Sequence, residues 1–263
     1  TKVVFGAGQV EKIGEEATSL GKKALIVTGK KAMRQAGITE RIESSLTAKG
    51  INFALFEKVE SNPSTDTVDA GFRLALETGC DLVIGLGGGS VIDTAKAIAS
   101  VAGLKTPVLT LMEKGMPQKG LPCIALPTTS GTGAEVTAIS VLTIIAKNRK
   151  DALRSPYNFP NVAIVDPELT LSLSPYLTAN TGIDALTHAV EAYTSRTAHP
   201  VSDLYARQAI ALVNKYLRRA VLRGNDLEAR EGMALASNLA GIAIAYAGVG
   251  AAHGLGMTVG GIG

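Results

Sequence analysis

Asp184 and His188 stand four residues apart in the run Gly182-Ile183-Asp184-Ala185-Leu186-Thr187-His188-Ala189-Val190. On a helix this spacing puts both side chains on one face, a turn apart. A carboxylate and an imidazole so placed can chelate one divalent ion, and the same spacing also suits an Asp–His pair that holds no metal. His253 lies among small residues in Ala251-Ala252-His253-Gly254-Leu255-Gly256 and, taken alone, reads as a structural histidine as easily as a ligand. The third histidine, His199, precedes Pro200 and reads as a solvated loop residue.

A second chemistry is written in Asp81-Leu82-Val83-Ile84-Gly85-Leu86-Gly87-Gly88-Gly89-Ser90-Val91-Ile92-Asp93-Thr94-Ala95-Lys96. An apolar strand runs into consecutive glycines, then Ser90, then a helix with apolar residues at Val91, Ile92, Ala95 and Ile98. Glycine lets backbone lie close to a ligand, and a helix N-terminus offers unpaired N–H groups at its positive end. Together they suit a phosphate or pyrophosphate. The turn is not the common GxGxxG pattern, because Ser90 occupies the third glycine position. The loop Pro127-Thr128-Thr129-Ser130-Gly131-Thr132-Gly133 carries hydroxyls and glycines able to wrap a ribose or an amide, although alone it reads equally as a plain polar loop.

These residues need elements to position them. Up to about residue 170 the chain alternates strand and helix patterns. Strands are predicted at Lys23–Thr28, Asn52–Phe56, Leu82–Gly85, Leu121–Leu126, Val136–Ile145 and Val162–Val165, and helices at Arg34–Lys49, Thr65–Thr78 and Val91–Val101. Such alternation specifies an α/β domain with a parallel, Rossmann-like sheet wrapped by helices. Ligands bind such sheets beyond the C-terminal strand ends, where Gly87–Ser90 and Pro127–Gly133 both fall. From Ser174 on the pattern is helical only, over roughly 175–195, 200–222 and 226–248. The reading is therefore a dinucleotide-binding domain over 1–170 and an all-α domain, here incomplete, over 171–263. The glycine-rich stretch Gly248–Gly263 is expected to lack a helix.

Composition narrows the class. The 263 residues are 46% hydrophobic, 19% charged and 4% aromatic with no Trp, so the core is aliphatic and packed on Ala and Gly. A net charge of +3 with scattered basic residues argues against nucleic acid. No apolar run approaches the roughly 18 residues of a membrane span. Cys80 and Cys123 flank apolar runs without CxxC spacing and read as reduced core thiols of a cytoplasmic protein.

Together these pieces resemble the iron-containing, group III metal-dependent alcohol dehydrogenase family. The resemblance rests on Thr1–Gly8 (TKVVFGAG), Gly87–Lys96 (GGGSVIDTAK), Pro127–Thr137 (PTTSGTGAEVT), Val162–Leu169 (VAIVDPEL), Gly182–Tyr193 (GIDALTHAVEAY) and the segment around His253. It covers essentially the whole chain. It implies a nucleotide-binding α/β domain, a helical domain, and a metal and nicotinamide in the cleft between them. Asp184, His188 and His253 match three of four metal ligands and would act in catalysis through the metal. Gly87, Gly88, Gly89 and Ser90 match the pyrophosphate turn. Asp93, Thr128, Thr129 and Thr132 fall in the cofactor loops, with Gly29 and Asn62 counted beside them. Lys150 matches a lysine that reaches the adenosine ribose. The implied reaction is hydride transfer between NAD(P)(H) and an alcohol or aldehyde, with Fe²⁺ or Zn²⁺ as the Lewis acid.

The sequence departs from the family pattern at three places. The family's fourth ligand, a histidine some 14 residues beyond the position of His253, falls after Gly263, so a trimmed chain with a weaker three-ligand site is expected. Met257 stands where many members carry a second histidine, which puts a proton-relay role there in doubt. Gly29, followed by Lys30 and Lys31, stands where NAD-preferring relatives often have an acidic residue, which predicts a preference for NADP(H). A zinc polyol dehydrogenase of the glycerol type usually carries Lys at the position of Ser90. A truncated nucleotide-binding chain without turnover is the competing reading of another class. The implied substrate is a modest apolar alcohol or aldehyde, and the first strand and sheet edge suggest a homodimer.

Overall fold

A computed structural model describes residues 1–116 and 118–259. The end of the glycine-rich segment, residues 260–263, lies outside the described residues. The strands are β1 (Lys2–Phe5), β2 (Lys23–Gly29), β3 (Asn52–Val59), β4 (Leu82–Gly87), β5 (Cys123–Pro127), β6 (Ile139–Ile144), β7 (Arg149–Arg154) and β8 (Val162–Val165). The helices are α1 (Ile13–Thr18), α2 (Ala32–Gln35), α3 (Ile38–Ala48), α4 (Thr65–Thr78), α5 (Gly89–Leu104), α6 (Val108–Lys114), α7 (Pro175–Thr194), α8 (Pro200–Leu222), α9 (Leu227–Ala247) and α10 (Ala251–Val259).

Six strands form one parallel sheet in the order β1-β8-β5-β4-β2-β3. Parallel sheets are covered on both faces, so their strands read as nearly unbroken apolar runs. β4 (LVIGLG) is buried throughout its length. Alternate residues of β2 enter opposite cores. Leu25 and Val27 pack with Val68 of α4 and Ala95 and Ile98 of α5, while Ala24 and Ile26 pack with Ile13 and Ala17 of α1 and Ile42 and Leu46 of α3. The chain runs outward from β2 to β3, then returns to β4 on the other side of β2 and continues toward β1. This reversal opens a crevice at the C-terminal ends of β2 and β4, where such sheets take their ligands.

Beyond Ser174 only helices are described. α7, α8 and α9 pack through small side chains, among them Ala185, Ala189, Ala209, Ala229, Ala236 and Ala240. Each of the three starts with a capping side chain. Ser174, His199 and Asp226 accept the N–H groups of Leu177, Ser202 and Ala229. Pro175 and Pro200 fill the first helical position, where a missing N–H costs nothing. No single described helix is long and apolar enough to cross a membrane.

The architecture matches the expected one, and four local expectations need correction. The helix predicted over Arg34–Lys49 is broken at Gly37, whose φ of 71° ends α2 and starts α3. The stretch Val136–Ile145 does not join the parallel sheet. Its start is part of a short 3-10 turn, and Ile139–Ile144 pairs antiparallel with the unforeseen β7, with one parallel bridge from Thr143 to Ser64. β6 buries Ser140, Leu142 and Ile144, while its half-buried Ile139, Val141 and Thr143 line the cavity described below. That apolar outward face mimicked a strand buried on both sides. His199 is a half-buried helix cap, not a solvated loop residue. The glycine-rich terminal segment contains a helix, α10.

Candidate active site

The glycine turn and the hydroxyl loop meet at the mouth of the crevice. The Thr128 N–H donates to the Gly87 carbonyl at 3.0 Å. A Cβ on Gly88 would approach Thr129 to 3.3 Å, and one on Gly89 would come within 2.5 Å of Thr132. A Cβ on Gly87 would lie 2.6 Å from the Val91 side chain. Protein packing therefore already demands glycine at Gly87 and Gly89, a reason the sequence did not reveal. Gly88 is the N-cap of α5 and makes no side-chain capping bond. The Val91 and Ile92 N–H groups donate to the Gly88 carbonyl at 3.0 and 3.1 Å, while those of Gly89 and Ser90 ahead of them have no intrahelical acceptor and suit an anion.

A cavity of about 800 Å³ extends from this turn. Asn62, Gly89, Ser90, Asp93, Thr132 and Lys150 line it, and so do Asp184, His188, His253 and Met257. Gly29, Gly87, Gly88, Thr128 and Thr129 are not on its wall. Gly29 ends β2 at the crevice, with open space beside it up to the Val59 carbonyl at 3.7 Å. Lys150 on β7 donates to Asn62 Oδ1 at 2.8 Å, so two residues 88 apart in sequence form one corner of the cavity. Asp93 accepts from the Val141 N–H at 2.9 Å and lies 3.0 Å from Lys96 Nζ. Burial pushes the Asp93 carboxyl up, opposed by the Lys96 charge.

Lys96 and Glu135 belong to the recognised motifs, yet reading the sequence assigned them no place. The Lys96 ammonium is buried and donates to the carbonyls of Ala134, Thr137 and Ile139, tying α5 to the strand lead-in. Glu135 is buried and accepts from Asn238 of α9 at 3.1 Å. Burial raises its carboxyl above the usual range. The i,i+3 spacing of Asp93 and Lys96 was the available signal for the first of these contacts.

At the far end of the cavity α7 and α10 bring Asp184, His188 and His253 together. One ligand atom from each lies within 4.8 Å of the others. The two imidazoles stack, with centroids 4.0 Å apart and planes 15° from parallel. His253 Nε2 is 3.3 Å from Asp184 Oδ1, and His188 Nδ1 is 3.9 Å from Asp184 Oδ2. That His188 nitrogen is buried and has no hydrogen-bond partner among the described residues. Burial pulls the His188 pKa down, against the pull of Asp184. The Asp184 hydrogen bond raises that of His253, helped by Glu191. A buried imidazole with an orphaned nitrogen, beside a carboxylate and a second imidazole, is a donor set that fits Fe²⁺ or Zn²⁺. His199 stands apart, its ring edge-on to Tyr246 with centroids 5.5 Å apart.

Comparison with known proteins shows the family to which the chain belongs. The family model described as iron-containing alcohol dehydrogenase matches residues 1–167, and that for the C-terminal part of the same family matches 178–262. A probable alcohol dehydrogenase EutG of Escherichia coli K12 is 43% identical over 249 residues, spanning 94% of this chain and 63% of that protein. A 1,3-propanediol oxidoreductase structure superposes with a TM-score of 0.96 at 39% identity, over 100% of this chain and 69% of the other. A sulfoacetaldehyde reductase of Bifidobacterium kashiwanohense, solved in complex with NAD⁺, gives a TM-score of 0.89 at 38% identity, over 96% and 67%. The chain thus spans about two thirds of the length of these relatives. With both family models matched along it, the chain belongs to the iron-containing alcohol dehydrogenase family.

Proposed function

We propose that the protein transfers a hydride between a nicotinamide dinucleotide and a primary or secondary alcohol or its carbonyl partner, using a divalent cation held by Asp184, His188 and His253. The observation that carries this reading is the single cavity joining the open N-terminus of α5 to the carboxylate–imidazole cluster. When bound, the cation supplies Lewis acidity toward the substrate oxygen and the nicotinamide supplies the hydride acceptor or donor. The free N–H groups at the start of α5 and the Ser90 hydroxyl take the pyrophosphate. Asp93, held by Val141 and Lys96, gives the cofactor a fixed polar edge. Ile139, Val141, Ile183, Ile244 and Met257 on the wall favour an apolar substrate of modest size and limit water.

The cofactor reading extends to the phosphate. Gly29 leaves space at the end of β2, and Lys30 and Lys31 beside it are exposed. This supports NADP(H) over NAD(H), with a lower KM for NADPH as the expected result. A KM for NADH equal to or below it would overturn the preference. The activity is tested by following NAD(P)H oxidation with short apolar aldehydes after anaerobic loading with Fe²⁺. Turnover that falls by about two orders of magnitude or more in Asp184→Ala supports the proposal. Nucleotide binding without turnover in the loaded wild-type protein would favour a binding module instead.

A further inference from the structure

Glu191 was assigned no role from the sequence, yet it touches the cluster at His253. It lies seven residues after Asp184, so Asp184, His188 and Glu191 share one face of α7. Its Oε1 accepts the N–H of Ala252 at 2.7 Å and of His253 at 3.4 Å, the free first-turn donors of α10. Its Oε2 bonds His253 Nδ1. The carboxylate is largely enclosed, with 11% of its side chain exposed. The described part of α10, Ala251–Val259, contains Gly254 and Gly256, which weaken a helix that no tertiary contact holds.

We propose that Glu191 is the positioning residue of the cation site. Its carboxylate keeps the His253 proton on Nδ1, turns Nε2 toward Asp184, and pins the start of α10 to α7. This rests on Asp184, His188 and His253 being the ligand set. A histidine ligand whose second nitrogen donates to a carboxylate is fixed in tautomer and orientation. Glutamine is nearly isosteric but does not serve both partners in the same way. If its oxygen caps α10, its amide group faces Nδ1 and drives the histidine proton onto Nε2, the nitrogen the cation needs.

The test is Co²⁺ binding to the purified protein, measured by competition with a chromophoric chelator and by visible absorption, in wild type, Glu191→Gln and Glu191→Asp. The expected result is Co²⁺ affinity lowered about 10- to 100-fold in Glu191→Gln with an altered visible spectrum. The melting temperature without metal should stay close to that of wild type, and Glu191→Asp, which keeps the charge, should bind more tightly than Glu191→Gln. A role as helix cap alone predicts the opposite order, with glutamine equal to glutamate. Wild-type affinity and spectrum in Glu191→Gln, with Co²⁺ bound normally by wild type, would overturn the positioning role and leave the ligand set standing. Failure of the wild-type protein to take up Co²⁺ would overturn both.

Discussion

Glu135 and Cys123 show how burial sets charge away from the cluster. Burial raises the Glu135 carboxyl, so the folded chain holds that proton more tightly than the unfolded chain does. As pH rises through the ordinary carboxylate range, about 4.3, the unfolded chain ionises first and Glu135 becomes a cost to folding. Glu135→Gln should therefore gain stability relative to wild type as pH is raised from about 4 to 8. Urea midpoints at the two ends check this, and a constant difference between the two proteins would contradict it. Burial also pushes the Cys123 thiol up to about 12. A thiol-specific reagent at pH near 8.5, the ordinary thiol pKa, should leave native Cys123 unlabelled and modify it only after denaturation. Rapid labelling of the native protein would show that the strand does not enclose it.

Between elements, the loop Pro127–Gly133 is a joint. Gly131 meets Thr181 of α7, and Gly133, at φ 59°, meets Gly241 of α9 with only 2.5 Å left for a Cβ. Gly133→Ala should lower stability by about 2–3 kcal/mol, because both strained backbone and backbone contact oppose the new methyl group. Thermal unfolding with a melting temperature unchanged from wild type would contradict this contact. Lys96 joins α5 to the lead-in of β6, and Lys96→Met would remove a buried ammonium from three carbonyls and leave the half-buried Asp93 without its cation. A loss of about 3–5 kcal/mol is expected in denaturant unfolding, and a neutral substitution would show the pair to be dispensable. The sheet strands other than the edge strand β1, together with α4 and the long helices α7 to α9, were legible because unbroken apolar runs and capping residues are local signals. β7 and α10 were not. β7 (RKDALR) carries charges that point into a cavity no local pattern reveals, and α10 depends on Glu191 from another helix. Asp184 and His188 announced themselves by spacing and by a family resemblance. The Lys150–Asn62 contact, which spans 88 positions, needed the fold to bring it together.

For the molecule as a whole, a six-stranded parallel sheet and a helical layer each contribute half of one cavity. In the proposed function the sheet offers a nucleotide the helix N-terminus at Gly88, and the helices offer a cation a carboxylate and two imidazoles. Neither half has chemistry to perform without the other, and the donor cluster is where the account stands or falls. The most direct measurement is metal content by mass spectrometry, after anaerobic incubation with Fe²⁺ or Zn²⁺ and desalting, for wild type, His188→Ala and His253→Ala. The account predicts about one ion per chain in wild type and little retention in either variant. A wild-type chain that keeps no metal, or variants that keep as much as wild type, would contradict it.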